Sequence, residues 1–257
     1  MNPAPQMNRL FISDLHLGTE RPASRQAFMR FLATHTHPGD ELYILGDLFD
    51  AWLGDDDESS FAQSVVDALA ARTRAGVRIC LMPGNRDLLL GARFAERVGA
   101  TLLPDPCCRS IEGQRVLLAH GDALCSADHG YQRYRRFIRS PLTRRLLMTL
   151  PVAVRRRIAA RLRRSSRTHT AAKPTPLLDV VPATVDDALL AHHARLLIHG
   201  HTHRPARHVH THGTRLVLGD WDGSIARYVH WPAGGEAQLL DFDIDAQAPS
   251  CERWTLP

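Results

Sequence analysis

The sequence predicts an α/β fold, and three observations predict it. Five short apolar segments each end in a polar cluster rich in Asp, His, Asn and Gly. Segments with apolar residues at helical spacing lie between the early ones. Short β segments separated by glycine turns follow the last. In order, NRLFIS (8–13) reads as a buried strand running into DLHLG, and 24–36 as a helix with Phe28, Phe31 and Leu32 on one stripe. ELYIL (41–45) is a strand ending at GDLFD. Residues 59–75 are helical, and VRICLM (77–82) is a strand ending at PGNRD. QRVLLA (114–119) runs into HGD, and RLLI (195–198) into HGHTH. The segments 207–212, 214–218, 225–231 and 237–242 read as β structure. Residues 1–257 are expected to form a single domain.

Composition excludes several classes. A hydrophobic content of 44% suits a globular chain. The five cysteines (Cys80, Cys107, Cys108, Cys125, Cys251) form no C-x-x-C pair, so neither a zinc finger nor a disulfide framework is expected, which points to a reducing compartment. The N-terminus has no basic start followed by an apolar signal core. The longest apolar run, 146–154, contains Pro151 and falls short of the roughly 20 residues that span a bilayer. A cytoplasmic protein is expected, with contact to a membrane surface left open.

The net charge of +5 is unevenly spread. Residues 131–173 hold 13 Arg, one Lys and no carboxylate, which is +14, leaving −9 on the rest. One segment is built to face anions while the body is acidic. Tyr131, Tyr134, Phe137 and Ile138 share a helical stripe there, as do Val154, Ile158 and Leu162. The expectation is a basic helical cap, 125–180, inserted over the strand ends. Helical apolar stripes usually form core. Most are therefore expected to pack the cap onto the body.

The strand-end clusters carry the chemistry. Ligands of α/β folds gather at the carboxyl ends of strands. Asp14, His16, Asp47, Asn85, His120, His201 and His203 offer two carboxylates, one amide and four imidazoles. That is too many donors for one tetrahedral zinc and has no sulfur for a soft metal. Mixed O/N ligation suits two borderline-hard divalent ions such as Mn²⁺, Fe²⁺ or Zn²⁺. A carboxylate such as Asp47 can bridge ions roughly 3.5–4 Å apart, a spacing that orients a water and clamps a phosphoryl group. Each cluster alone is an ordinary turn sequence; five in succession, three of them supplying histidine, are not. No G-x-S-x-G and no Cys/His nucleophile signature accompanies them.

DLHLG, GDLFD, GNRD, HGD and GHTH, spanning residues 14–203, together resemble the calcineurin-like metallophosphoesterase superfamily. GDLFDAWLGDDD (46–57), the basic insertion and LGDWDGS (218–224) resemble, within it, the UDP-2,3-diacylglucosamine hydrolases (diphosphatases) of lipid A biosynthesis. The resemblance implies a four-layer αββα sandwich with a helical cap and two Mn²⁺ ions. It implies water attack at the α-phosphorus of UDP-2,3-diacylglucosamine, giving UMP and 2,3-diacylglucosamine 1-phosphate. Asp14, His16, Asp47 and His203 would hold one metal. Asn85, His120 and His201 would complete the other, with Asp47 shared and holding a metal-bridging hydroxide, so that no side chain is the nucleophile. Asn85, Arg86, Asp128, Ser166, Thr170, Lys173 and His201 would contact substrate. Thr170 stands where the family has Asn, and its hydroxyl can both donate and accept. The lipid substrate and the basic cap imply a peripheral protein on the cytoplasmic face of the inner membrane, meeting anionic lipid. No nucleic acid is expected as a partner.

Other readings follow from the same residues. A basic segment can track a phosphate backbone, which would make the chain a phosphodiesterase of nucleic acid. The same metals would serve a phosphatase of small nucleotides. A non-catalytic scaffold would be expected to have lost ligands, and all seven positions here hold competent residues. Two look-alike histidine clusters lie within 199–213. His201 and His203 are assigned to metal and His199 to a supporting place at the strand end. His208, His210 and His212 have no carboxylate close in sequence and are read as one face of a hairpin arm. The acidic run 55–58 is expected to pair with the arginines of the cap.

Overall fold

The strand Arg9–Ile12 (β1) shows how the layers arise. Successive side chains on a strand point to opposite faces. Leu10 and Ile12 join a core with Phe28, Phe31 and Val65, whereas Phe11 joins another with Leu118, Ile198 and Leu216. The computed structural model describes residues 7–171 and 179–245, with side chains to residue 165 in the first span.

β1 pairs in parallel with β2 (Glu41–Leu45), and β2 with β3 (Arg78–Met82). A short β4 (Thr101–Leu102) closes one edge. β10 (Ile225–Trp231) and β11 (Gln238–Asp243) add antiparallel to the other side of β1. The second sheet has β5 (Cys107–Ile111), β6 (Gln114–Ala119), β7 (Leu196–His199), β8 (Ala206–His210) and β9 (Gly213–Val217) in the order β5-β6-β7-β9-β8. β6, β7 and β9 run parallel, and β8–β9 is a hairpin.

Helices α1 (Pro22–His35), α2 (Ser60–Arg74) and α3 (Ala92–Val98) cover the first sheet. Val185 and Leu189 of a later helix, Pro182–Ala191, cover the second against Leu117 and Leu197. The result is the αββα sandwich that the family resemblance implied. The strand readings fall within a residue or two of the observed bounds, and 41–45, 114–119 and 225–231 coincide with them. The sequence reading did not place α3, β4, β5, the short 3-10 turn Asp122–Leu124 or the helix 182–191.

Between β6 and that last helix come α4 (His129–Ile138), α5 (Pro141–Thr149) and α6 (Val152–Ala171), which makes 182–191 α7. Asp128 caps α4 by accepting from Tyr131 N, and Ser140 caps α5 by accepting from Thr143 N. The expectation that the stripes of this segment mainly pack onto the body does not hold. Phe137, Leu142 and Leu146 are 66%, 78% and 63% exposed, and Tyr134, Met148, Val154 and Leu162 are exposed too. Arginines hold the segment instead. The guanidinium of Arg155 is buried and donates to both carboxylate oxygens of Asp56 and to the carbonyls of Leu53 and Leu150. Arg163 pairs with Asp50. Charge-assisted contacts fix the position, so apolar side chains are left facing outward. Among the described residues, no helix is long and apolar enough to cross a membrane.

Candidate metal centre

The parallel strands deliver the polar clusters to one end of the sandwich. Backbone bonds extend the ladders past the strand ends: Asp14 N donates to Gly46 O (3.1 Å), His16 N to Asp47 O (2.9 Å) and Gly200 N to His120 O (2.9 Å). There the chain turns sharply. Asp14, His16, Asp47, His201 and His203 all take positive φ, between 47° and 68°. Non-glycine residues rarely adopt that region, and each costs of order 1–3 kcal/mol. Five of the seven candidate ligands are therefore held in strained backbone. Gly84 is required by crowding: a Cβ there would collide with the carboxylate and backbone nitrogen of Asp47.

The donor atoms converge. Atoms of Asp14, His16 and His203 lie within 4.8 Å of one another, as do those of Asp14, Asp47 and His120. His16 Nε2 and His203 Nε2 are 3.3 Å apart, and His203 Nε2 is 3.3 Å from Asp14 Oδ1. Asp47 reaches His16 with one oxygen (3.9 Å) and His120 with the other (3.7 Å). Asn85 Oδ1 is 2.9 Å from His120 Nε2. The His201 ring sits edge-on to His120 at 5.1 Å, and its backbone N donates to Asp14 Oδ2.

This arrangement suits cations. His120 Nδ1 lies 3.0 Å from the carbonyl of Leu45, the contact of an N–H donor. In its neutral form, the one that ligates a metal, the ring would turn a bare Nε2 toward the oxygens of Asn85 and Asp47, where acceptor would face acceptor unless a proton or a cation lay between them. Asp14 Oδ1 and His16 Nδ1 are buried without a hydrogen bond. Burial works against the charge of Asp14, but His203, His120 and His16 around it hold its carboxyl well below the usual range. Asp47 is pushed up to about 7 by burial, with Asp87 and Asp14 adding to it. Burial also opposes a charge on His120, yet Asp47, Asp122, Asp14 and Asp105 raise it to about 9. His16 falls to about 4 and His201 to about 3, chiefly through burial. Burial opposes a charge on His203 too, but Asp14 and Asp220 raise it to about 10. His120 and His203 would therefore give up protons to a bound cation, while His16 and His201 offer neutral rings; with the crowded carboxylates they make the donor set of a divalent metal site.

Several supporting residues were not foreseen. Asp87, the last residue of GNRD, accepts from the backbone N of Gly84, Leu48, Asp47 and Phe49, tying two site loops together. Asp105 accepts from His120 N and, with buried Asp122, binds Arg135 of α4 and Arg139 at its C-terminal cap. Tyr131 donates to Asp122 and stacks on His201 at 5.9 Å. Asp220, within LGDWDGS, meets His203 Nδ1 at 3.1 Å. The motifs contained Asp87, Asp122 and Asp220, but nothing local in sequence told what they face.

The remaining sequence-predicted positions are placed as follows. Arg86 is half-buried beside Asn85, and its backbone N donates to Asp47 Oδ1. Asp128 caps α4. Ser166 and Thr170 fall on α6 beyond its described side chains, and Lys173 lies outside the described residues. His199 is buried at the end of β7, its Nδ1 2.8 Å from Gly200 O. His208 and His210 sit on β8, and His210 faces Asp186 of α7 at 3.7 Å, a carboxylate the sequence reading did not anticipate. Of the acidic run, Asp56 pairs with Arg155. Asp55 instead accepts from Trp52 Nε1 and from Gly91 N and Phe94 N at the start of α3.

The fold and this cluster of ligands define a metallophosphoesterase: the calcineurin-like phosphoesterase family model matches residues 7–205, and the chain belongs to that family. Relatives that match most of the chain carry the name UDP-2,3-diacylglucosamine hydrolase. UDP-2,3-diacylglucosamine hydrolase of Stutzerimonas stutzeri (strain A1501) is 49% identical over 217 residues, covering 83% of this chain and 90% of that protein. The protein of the same name from Aeromonas hydrophila subsp. hydrophila is 49% identical over 226 residues, covering 85% and 93%. Solved structures share the fold at much lower identity. Vps29 of Entamoeba histolytica, complexed with Zn²⁺, is 14% identical with a TM-score of 0.50, covering 96% of this chain and 98% of its own. Vacuolar protein sorting 29 of Cryptosporidium parvum is 15% identical with a TM-score of 0.51, covering 96% of each chain.

Proposed function

We propose that this chain hydrolyses the pyrophosphate bond of UDP-2,3-diacylglucosamine, releasing UMP and 2,3-diacylglucosamine 1-phosphate. The observation that carries the reading is the convergence of Asp14, His16, Asp47, His120 and His203 at one end of the sandwich, in a chain whose basic cap leaves Phe137, Leu142 and Leu146 exposed. The relatives' shared name, over most of both chains, supports the same substrate.

In this reading Asp14, His16, Asp47 and His203 hold one Mn²⁺. Asn85, His120 and His201 hold a second, and Asp47 serves both. Divalent ions bound there supply Lewis-acid charge to a phosphoryl group and activate water near neutral pH. The chain's own residues bind and orient. Arg86, next to a ligand, offers paired N–H donors to a phosphate oxygen, as Asn85 and His201 do singly. Asp128, Ser166, Thr170 and Lys173 complete the substrate contacts from the cap, 125–180, an insertion in a single domain of 257 residues. No side chain acts as nucleophile.

The exposed aliphatics favour a lipid over a nucleic acid, since tracking a phosphate backbone needs basic groups and stacking aromatics, not Leu142 and Leu146. With arginines 133, 136, 144, 145, 156 and 157 also exposed, the cap meets an anionic bilayer surface on the cytoplasmic side of the inner membrane. The test is Mn²⁺-dependent UMP release from UDP-2,3-diacylglucosamine. Absence of UMP from protein that has bound Mn²⁺ would overturn the substrate assignment.

A further inference from the structure

The connection between β9 and β10 crosses from the second sheet to the first, and it touches the site twice. Leu218 N donates to His199 O, continuing the second sheet. Gly219 N donates to Arg227 O, already on the first. Trp221 N then donates to the carbonyl of Asp14 (3.2 Å), and its buried indole packs among Phe28, Phe31 and Phe242. Ser24 of α1 donates to Trp221 O. Asp220 is thus pinned between two anchored residues, and its Oδ2 lies 3.1 Å from His203 Nδ1. The other ring nitrogen, Nε2, faces Asp14 Oδ1 and His16 Nε2, each at 3.3 Å.

We propose that Asp220 is a positioning residue for the metal site: by accepting Nδ1–H it fixes the ring plane and tautomer of His203, so that Nε2 presents its lone pair beside Asp14 and His16. A ligand histidine turns easily about its side-chain torsions, and its two nitrogens are interchangeable until one is committed to a partner. His203 needs such a partner more than the other ligands, because it is 35% exposed and stands in left-handed backbone, whereas His120 is fully buried and is oriented by the Leu45 carbonyl. A carboxylate there also makes the imidazole a stronger donor to a cation.

The molecule contains its own control. His210 and Asp186 form a second histidine–carboxylate pair at 3.7 Å, on β8 and α7, away from the converging ligands. Both pairs are alike in composition; only the first has a second nitrogen pointing into a cluster of donors.

The inference rests on the metal-site reading, and the experiment separates the two. Mn²⁺ affinity is measured by chelator competition for wild type, Asp220→Ala, Asp220→Asn and Asp186→Ala, alongside thermal unfolding of each protein without metal. Asp220→Ala is expected to weaken affinity about 10–100-fold with little change in metal-free unfolding. Asp220→Asn keeps an acceptor oxygen without the charge and is expected to retain more affinity than Asp220→Ala. Asp186→Ala is expected to bind as wild type does. Wild-type affinity in Asp220→Ala overturns the proposal, and so does an equal loss in Asp186→Ala. If Asp220→Ala fails to fold, wild-type affinity in a folded Asp220→Asn joined to an unchanged pH dependence of binding overturns it too. A wild-type protein that binds no divalent ion overturns instead the metal-site reading beneath it.

Discussion

The strand-end loops and the cap are built on opposite principles. The loops place buried polar groups in strained backbone and leave little free to move: Asp14 and His120 are fully buried, and five ligand residues sit at positive φ. The cap does the reverse, exposing large apolar side chains and relying on a few arginines for its attachment. One region sets the position of individual atoms. The other offers a surface. Between these two regions burial follows chemistry and not hydrophobicity: the carboxylates of Asp14 and Asp47 are inside, whereas Leu142 and Leu146 of the cap are outside.

The sharpest way to break the comparison is to remove chemistry without disturbing the surface. Asp47→Ala is expected to lower UMP release roughly a thousandfold or more, while circular dichroism and vesicle binding stay as in wild type. Loss of vesicle binding in that variant would mean the two regions are not independent.

Arg155→Ala addresses the attachment. It removes a buried cation that contacts Asp56 and two carbonyls, at a cost of about 2–4 kcal/mol. Faster hydrogen exchange is expected in 141–165, with Mn²⁺ affinity unchanged. Uniformly faster exchange across β1–β3 would show that cap and body unfold together.

The double variant Phe137→Ser, Leu142→Ser tests the surface. Both residues are mostly exposed, so folding stability should change by less than about 1 kcal/mol. Binding to anionic vesicles and KM for the lipid substrate are expected to worsen several-fold, with kcat nearly constant. A fall in kcat alone would place these residues in a different role.

The smallest effect concerns pH. Arg155 beside Asp56 holds its carboxyl below the usual 3.8. Its contribution is therefore present above pH 3.8 and is lost as pH falls through the lowered value. Asp56 is 39% exposed, and solvent screening keeps the effect to about 1 kcal/mol or less. The unfolding midpoints of wild type and Asp56→Asn should differ at pH 7 and converge below pH 3.8. A gap that persists in acid would point to packing rather than charge.

Much of this was legible in the sequence, for a physical reason. A buried strand ending in a glycine-containing polar cluster is a local pattern, so β1, β2, β3, β6 and β7 and their candidate ligands could be read directly. The unread elements lack such a signal. α3 has seven residues, β5 alternates imperfectly, and α7 buries only Val185 and Leu189. The unread site residues depend on tertiary partners. Asp220 is 17 positions from His203 in sequence, and Asp105 lies 15 before His120, so neither spacing carries a rule. The cap misled for a related reason: periodicity shows that apolar residues share a face, and cannot show what lies opposite that face.

The spread of the donors along the chain also governs when the protein can first work. The first candidate ligand is residue 14 and the last is residue 203, with Asp220 later still. Parallel pairing makes every strand that supplies them wait for long-range closure. A chain cut before residue 199 has most of its mass and carries Asp14, His16, Asp47, Asn85 and His120, but it lacks His201, His203 and Asp220. The group of Asp14, Asp47 and His120 is therefore complete in the chain well before the group of Asp14, His16 and His203, and the full donor set exists only once β7 and the loop after it are made.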